Sequence, residues 1–346
     1  MTPPTEATAN QPPSPHHRAL AALPGLALAV LVAAVATGAG ALVPVVGGPV
    51  FAIVLGAIAA TGVPALRAPR WKPGLAVASR PVLQLSIVVL GSGLSLSQVL
   101  TVSGDSLPVM LGTLAVALGG AWLLGRALGV GGDTRTLIGV GTGICGASAI
   151  AATTAVIKPK ESEVAYAIGT VFVFNIAAVL LFPPIGHLLG MDAASFGLWS
   201  GTAINDTSSV VAAAYAYSPD AGPVGIVVKL TRTLTLIPIV GFLAVLTARR
   251  NRTGAGLPWR RLVPLFLIGF LAAASLRSLG LIPDGWLPAL STLGTFLITT
   301  ALAGIGLNLR IDELRRAGHR PLMLGGILWL AVAGSSLGLQ ALTGTL

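Results

Sequence analysis

The chain has 346 residues, of which 54% are hydrophobic and only 9% charged, with a mean hydropathy of +0.88. An average soluble domain carries about 25% charged residues, so this composition excludes a soluble globular protein. The formal charge of +10 does not point to nucleic acid, because the basic residues sit in short links between apolar stretches and form no single patch.

Residues 1–18, rich in Pro, Thr, Ala and Gln, are expected to form a disordered tail, and residues 19–346 a single polytopic transmembrane domain. Arg18 followed by an apolar run mimics a signal peptide, but the run reads as a retained first helix. About 20 apolar residues cross a hydrocarbon layer of about 30 Å as a helix. Hydropathy with Pro/Gly punctuation places such segments near 19–38, 41–62, 81–100, 107–128, 136–157, 164–186, 193–217, 222–247, 262–279, 286–308 and 321–343. The expected fold class is therefore an all-α integral membrane protein with about nine to eleven transmembrane segments.

Arg67, Arg70, Lys72 and Arg80 fall in the link after the second segment, Arg249, Arg250, Arg252, Arg260 and Arg261 after the eighth, and Arg310, Arg315, Arg316 and Arg320 before the last. Positive charge marks the cytoplasmic side. The links around Asp105, Asp192 and Asp220 carry no Lys or Arg, and the one around Asp284 only Arg277. These should face outward, with the N-terminus inside.

Two internal similarities stand out. Gly91-Ser-Gly-Leu-Ser-Leu96 followed by Pro108-Val-Met-Leu-Gly112 resembles Gly304-Ile-Gly-Leu-Asn-Leu309 followed by Pro321-Leu-Met-Leu-Gly325, at a constant offset of 213 residues. The topology gives the matched segments opposite orientations, the mark of an inverted repeat. Gly141-Thr-Gly-Ile-Cys-Gly-Ala-Ser148 resembles Gly201-Thr-Ala-Ile-Asn-Asp-Thr-Ser208, at an offset of 60. If both segments cross the membrane fully, only one helix separates them and they run parallel; if both are broken or re-entrant, they enter from opposite sides, and the second reading is preferred because it puts Lys158 and Lys160 inside. The two offsets differ, so one tandem duplication does not explain both.

The run from Gly141 to Gly146 fits GxGxxG, with Glu161 or Glu163 downstream, but a dinucleotide site needs a preceding strand, and this apolar segment shows no strand alternation. Small and hydroxyl residues instead let a membrane helix break and turn free amides and carbonyls toward a cavity. Thr142, Gly143, Gly146 and Ser148 of the first motif and Asn205, Asp206, Thr207 and Ser208 of the second are the candidate binding residues; close helix packing and bonding of Thr or Ser to their own helix are the bland alternatives. Asp206 is the one acidic residue that falls inside an apolar segment away from its ends. A carboxylate there needs a partner or a role. Lys229 and Arg232, at i, i+3 spacing on one face of the eighth segment, are its expected partners, with a fixed salt bridge as the structural alternative. Two cations, one carboxylate and exposed helix N-termini suit a small anion, and Asp206 could couple its transport to protons. Asn175, midway along the sixth segment, either lines the site or makes an interhelical hydrogen bond.

With these motifs and Lys229-Leu-Thr-Arg232 in order, the chain resembles the YeiH-like sulfate exporter family from about residue 25 to its end. The resemblance implies an inner-membrane transporter of elevator type, with inverted repeats and broken elements in a moving core. No motif identifies sulfate itself.

Cys145, the single cysteine, excludes an intramolecular disulfide, and His16, His17, His187 and His319 lie too far apart for a metal site, so no cofactor is expected. Histidine clusters for a desaturase, paired intramembrane acids for an aspartyl protease and Asp-rich loops for a prenyl transferase are missing. A Ser148–His187 hydrolase pair and an anion channel are the remaining rivals to an anion transporter, together with a cation/proton antiporter of related fold. The expected partners are a small anion, the lipid bilayer and, if the protein pairs, a second copy in a homodimer.

Overall fold

Hydrocarbon offers the backbone no hydrogen bonds, so a membrane chain must satisfy its amides internally. The computed structural model describes residues 15–42, 47–251, 264–308 and 319–346, and every regular element among them is helical. Helix α1 (Pro15–Leu42) begins on a proline, whose missing N–H costs nothing in a first turn. It takes in residues 15–18, which the sequence assigns to the disordered tail; residues 1–14 lie outside the described set.

After α2 (Gly47–Gly62), helix α3 (Lys72–Val77), a π-helical turn at Ala78–Val82 and α4 (Leu83–Gly91) follow one another without a break. The next helix, α5, runs unbroken over Leu96–Ala127. This corrects the expected bounds of the segments at 81–100 and 107–128: Asp105 lies inside a helix and not in a link between two. The start of α5 is fixed by a capping box: Ser95 Oγ accepts from Gln98 N, and the Gln98 side chain accepts from Ser95 N. The polar stretch at 101–106 lies inside the helix, where Ser103 bonds to Thr231 across the bundle at 2.8 Å.

The two motif segments are both broken. Helices α6 (Gly132–Gly143) and α7 (Ala147–Ile157) flank one break; α9 (Ala193–Ala203) and α10 (Thr207–Tyr217) flank the other. Each pair returns to the side it started from. Thr134, at the start of α6, bonds at 3.4 Å to Glu163 at the start of α8 (Glu161–Leu188), the helix that follows α7. Tyr217, at the end of α10, donates to the Met191 carbonyl before α9 and stacks on Phe196 and on His187 at the other end of α8. The pairs are re-entrant hairpins based at opposite ends of α8. Helix α11 (Ala221–Leu234) and α12 (Leu236–Asn251) follow the second hairpin and are separated where Pro238 cannot bond back to Leu234.

The motif similarity widens into a repeat of whole elements. Gly143 and Ala203 end the first arms, Ala147 and Thr207 begin the second, Ile157 and Tyr217 end them, and Glu161 and Ala221 begin the next helices, all at the offset of 60. The other repeat is also visible. Helix α4 packs antiparallel to α14 (Leu287–Leu307): a side chain on Gly294 would meet Leu90, and one on Gly304 would meet Ala78. Helix α5 packs antiparallel to α15 (His319–Thr343), with Gly112 against Leu339 and Gly125 against Leu324, contacts that interchange within one residue under the shift of 213.

Seven stretches among the described residues are long and apolar enough to cross a membrane. Helix α2 and helix α13 (Leu265–Ser278) are shorter, and each adjoins residues outside the described set. With the two hairpins, these account for the eleven expected segments. Helices α1, α2, α4, α13 and α14 bury one continuous apolar core that meets the hairpin side at Val211, Ala212, Ile226, Val227 and Leu230.

Helices α1 and α3 cross with backbones touching: a Cβ on Gly25 would stand 2.2 Å from the Trp71 carbonyl, and one on Gly74 2.1 Å from that of Ala22. Overpacking at such a contact costs about 1–3 kcal/mol or more. Gly74→Val should therefore lower the apparent melting temperature of detergent-solubilised protein, whereas Gly104→Val, in open space on α5, should leave it nearly unchanged.

Candidate functional site at the hairpin tips

The first break, Ile144-Cys145-Gly146, ends α6 with an i→i−5 bond from Gly146 N to Gly141 O at 2.9 Å. Gly146 then turns the chain at φ +64, a left-handed value that favours glycine. A side chain there would also press on Asp206 Cβ at 3.3 Å, so the two tips touch. The second break, Ile204-Asn205-Asp206, ends in a side-chain cap. Asp206 Oδ2 accepts from Ser208 N at 3.0 Å and from Ser208 Oγ, which satisfies the start of α10.

Two side chains from other helices close the tips. Asn175, midway along α8, accepts at Oδ1 from Asn205 N and Asp206 N, both at 3.2 Å. Lys229 of α11, fully buried, donates from Nζ to Ile144 O at 2.7 Å and to Ile204 O at 2.8 Å. Those two carbonyls are themselves related by the offset of 60. One ammonium thus binds equivalent points on both hairpins. Arg232, one turn further on and equally buried, donates from Nη1 to the Thr202 carbonyl, and its Nε and Nη2 find no partner.

This corrects the expected ionic trio. The one ion pair among the described residues is Arg277–Asp284, at 2.8 Å and remote from the tips. Lys229 and one nitrogen of Arg232 donate instead to carbonyls that the helix breaks release. A broken helix end in a water-free interior presents several unsatisfied acceptors, and a cation meets them more strongly than a neutral donor does. Asp206 is occupied in the same way by the amide it caps.

A cavity of about 480 Å³ opens beside the tips, between the hairpins and the α2, α4 and α14 side. Of the expected site residues, Ser148, Asn175, Asp206, Thr207 and Ser208 line it. Thr142, Gly143, Gly146, Asn205, Lys229 and Arg232 are buried and are not on its wall. Sequence reasoning missed Arg80, Gln84 and Asn308, which do line it. The positive-inside pattern places Arg80 in a cytoplasmic link. It stands on the π-turn at Ala78–Val82, beside Pro81, and a cation next to a proline within a helical run was the available signal.

The cavity receives two helix N-termini in different states. Residues Ala147 and Ser148 of α7 and Thr207 and Ser208 of α10 line it. Helix α10 is capped by Asp206, whereas Gly146 gives α7 no side-chain cap. A helix N-terminus carries about +0.5 of a charge and amides with no intrahelical partner, and of those at the start of α7 the Ala149 amide donates to the Cys145 thiol.

The rival constellations do not assemble. His187 lies about twelve residues along α8 from Asn175, or about 18 Å at 1.5 Å per residue, and stacks on Tyr217 at the base of the second hairpin, away from Ser148 at the tip of the first. The GxGxxG run forms the end of α6 and the hairpin turn, with no strand before it, and Glu163 caps α8 by accepting from Lys160 N at 3.0 Å.

The fold and site define a multi-pass, all-α integral membrane protein with paired re-entrant hairpins. The chain belongs to the family described as conserved hypothetical protein 698, whose family model matches residues 24–325. It is 41% identical over 329 residues to a UPF0324 membrane protein of Streptococcus pyogenes serotype M6, covering 92% of this chain and 96% of that one. It is 39% identical over 328 residues to one of Streptococcus pneumoniae strain R6 (92% and 97% covered), and 38% over 331 residues to one of Streptococcus agalactiae serotype V (93% and 98%). No solved structure matches.

Removing the Asn175 acceptor strands two buried amides, at about 1–3 kcal/mol for each unsatisfied group. Asn175→Leu should lower the melting temperature of the purified protein and speed maleimide labelling of Cys145, the neighbouring tip residue; thermal denaturation and labelling rates check both.

Proposed function

We propose that the protein is a secondary transporter of a small oxyanion, of sulfate or sulfonate type, and that the tip cavity is its binding site. One observation carries this reading. In the 60-residue repeat, Gly146 stands where its twin carries Asp206. The Asp206 carboxylate sits on the N-terminus of α10, while the N-terminus of α7 faces the cavity without a cap. An oxyanion there takes the place that a carboxylate fills in the other half, accepting from the first amides of α7 and the Ser148 hydroxyl. Arg80, across the cavity, supplies a positive charge and a planar pair of donors.

Asp206 shares the cavity with that anion, so its negative charge opposes binding and a proton on it favours binding. This gives a route for coupling transport to protons. Two hairpins entering from opposite ends of α8 and meeting at its middle suit a site reached alternately from each side, as in the elevator transporters that the sequence resembles. In this reading the protein lies in the cell membrane with its N-terminus cytoplasmic, and it performs transport and no chemical conversion.

Counterflow in proteoliposomes tests it. Sulfate, thiosulfate or a small sulfonate should give saturable exchange, reduced about tenfold or more in Arg80→Gln and in Ser148→Val, since each removes a hydrogen bond to a charged ligand worth about 1.5–3 kcal/mol. Asp206→Asn should flatten the pH dependence of flux. Stepwise conductance in place of saturable exchange would identify a channel, and no response from folded, inserted protein to any of these anions would remove the anion reading.

A further inference from the structure

We propose that the paired carbonyls of Ile144 and Ile204 form a monovalent-cation site that the chain fills with its own ammonium, Lys229. The inference rests on the transporter reading only for its consequence, that this transporter needs no sodium or potassium at its hairpin tips. The site itself rests on geometry.

The donors and acceptors are those a small cation would use. Lys229 Nζ lies 2.7 Å from one carbonyl oxygen and 2.8 Å from the other, and the two carbonyls occupy equivalent places in the two hairpins. Carbonyl oxygens released by broken backbone replace the hydration shell of an alkali ion in membrane proteins, and an ammonium makes the same demand through directed N–H bonds. No carboxylate among the described residues forms an ion pair with Lys229. The charged or titratable groups acting on it are Arg232 on its own helix, Cys145 in the first tip and Asp206 in the second. Asp206 has its own backbone and hydroxyl partners, so the carbonyls are the ammonium's ligands.

A tethered ammonium differs from a free ion in one respect. It is tethered to the chain, which holds it beside the two carbonyls at high effective concentration. Both hairpins are therefore joined at mid-helix without drawing on the cation gradient. Removing the side chain beyond Cβ leaves the two carbonyls without their donor, free to take a small cation in its place.

Cys145, the single cysteine, sits between the Ile144 carbonyl and Gly146 and is 3% exposed, so its labelling reports whether the tips are closed. In Lys229→Ala, maleimide labelling of Cys145 in choline chloride should run about tenfold or more faster than in the wild type, because two bonds to a charged group are lost. Ammonium or potassium chloride at equal ionic strength should slow it back toward the wild-type rate and raise the melting temperature. Lys229→Met fills the space with an apolar chain, so it should label fast and respond to none of these salts. The wild type should be indifferent to them. A Lys229→Ala chain that responds no more to small cations than to choline overturns the proposal. So does one that is lost from the membrane in every salt, or an equal salt response in the wild type. None of these readouts needs a transported anion, so failure of the anion reading leaves the cation site standing, and the reverse.

Discussion

Everything at the centre of this protein depends on satisfying four backbone groups where two helices break inside an apolar bundle. A polar backbone group buried without a partner costs roughly 2–7 kcal/mol, depending on the reference state. Two side chains meet the demand. The Asn175 oxygen takes the two amides of the second tip, and the Lys229 ammonium takes one carbonyl from each tip. Burying an ammonium is itself expensive, but here it exchanges water for two charge-assisted bonds and relieves two stranded acceptors. The hairpins can turn back at mid-bundle because these contacts exist, and the cavity is the space left beside the turn.

The repeat then divides the work between two sides of the tips. Buried behind them, Lys229 and Arg232 hold backbone carbonyls; in front, Ser148, Asp206, Thr207, Ser208 and Arg80 face the cavity. The difference between Gly146 and Asp206 at equivalent positions breaks the symmetry of the front side. One helix start is closed by the chain's own carboxylate, and the other takes no cap from its glycine.

Much of this was legible in the sequence because the bilayer enforces it. Apolar runs of spanning length, the two broken segments and the offsets of 60 and 213 follow from hydropathy and from glycine and hydroxyl placement. The failures also have causes. The dip at 101–106 looked like a link because hydropathy averages over neighbours, while the capping box at Ser95 and Gln98, a shorter and sharper signal, marks the true start of α5. Lys229 and Arg232 were paired with Asp206 because opposite charges in an apolar segment invite pairing. Sequence does not show that free carbonyls were competing for the same cations.

The sequence by itself determined that the chain is a helical membrane protein, and it marked two segments whose small and hydroxyl residues allow a break and the polar residues near them, since each of these depends on local composition against a fixed bilayer thickness. Only the tertiary structure decided that both breaks re-enter, that they meet at Asn175, and that Lys229 binds carbonyls while Arg80 faces the cavity. Those outcomes turn on which backbone groups are left unsatisfied once helices pack, a quantity set by contacts between residues far apart in the chain.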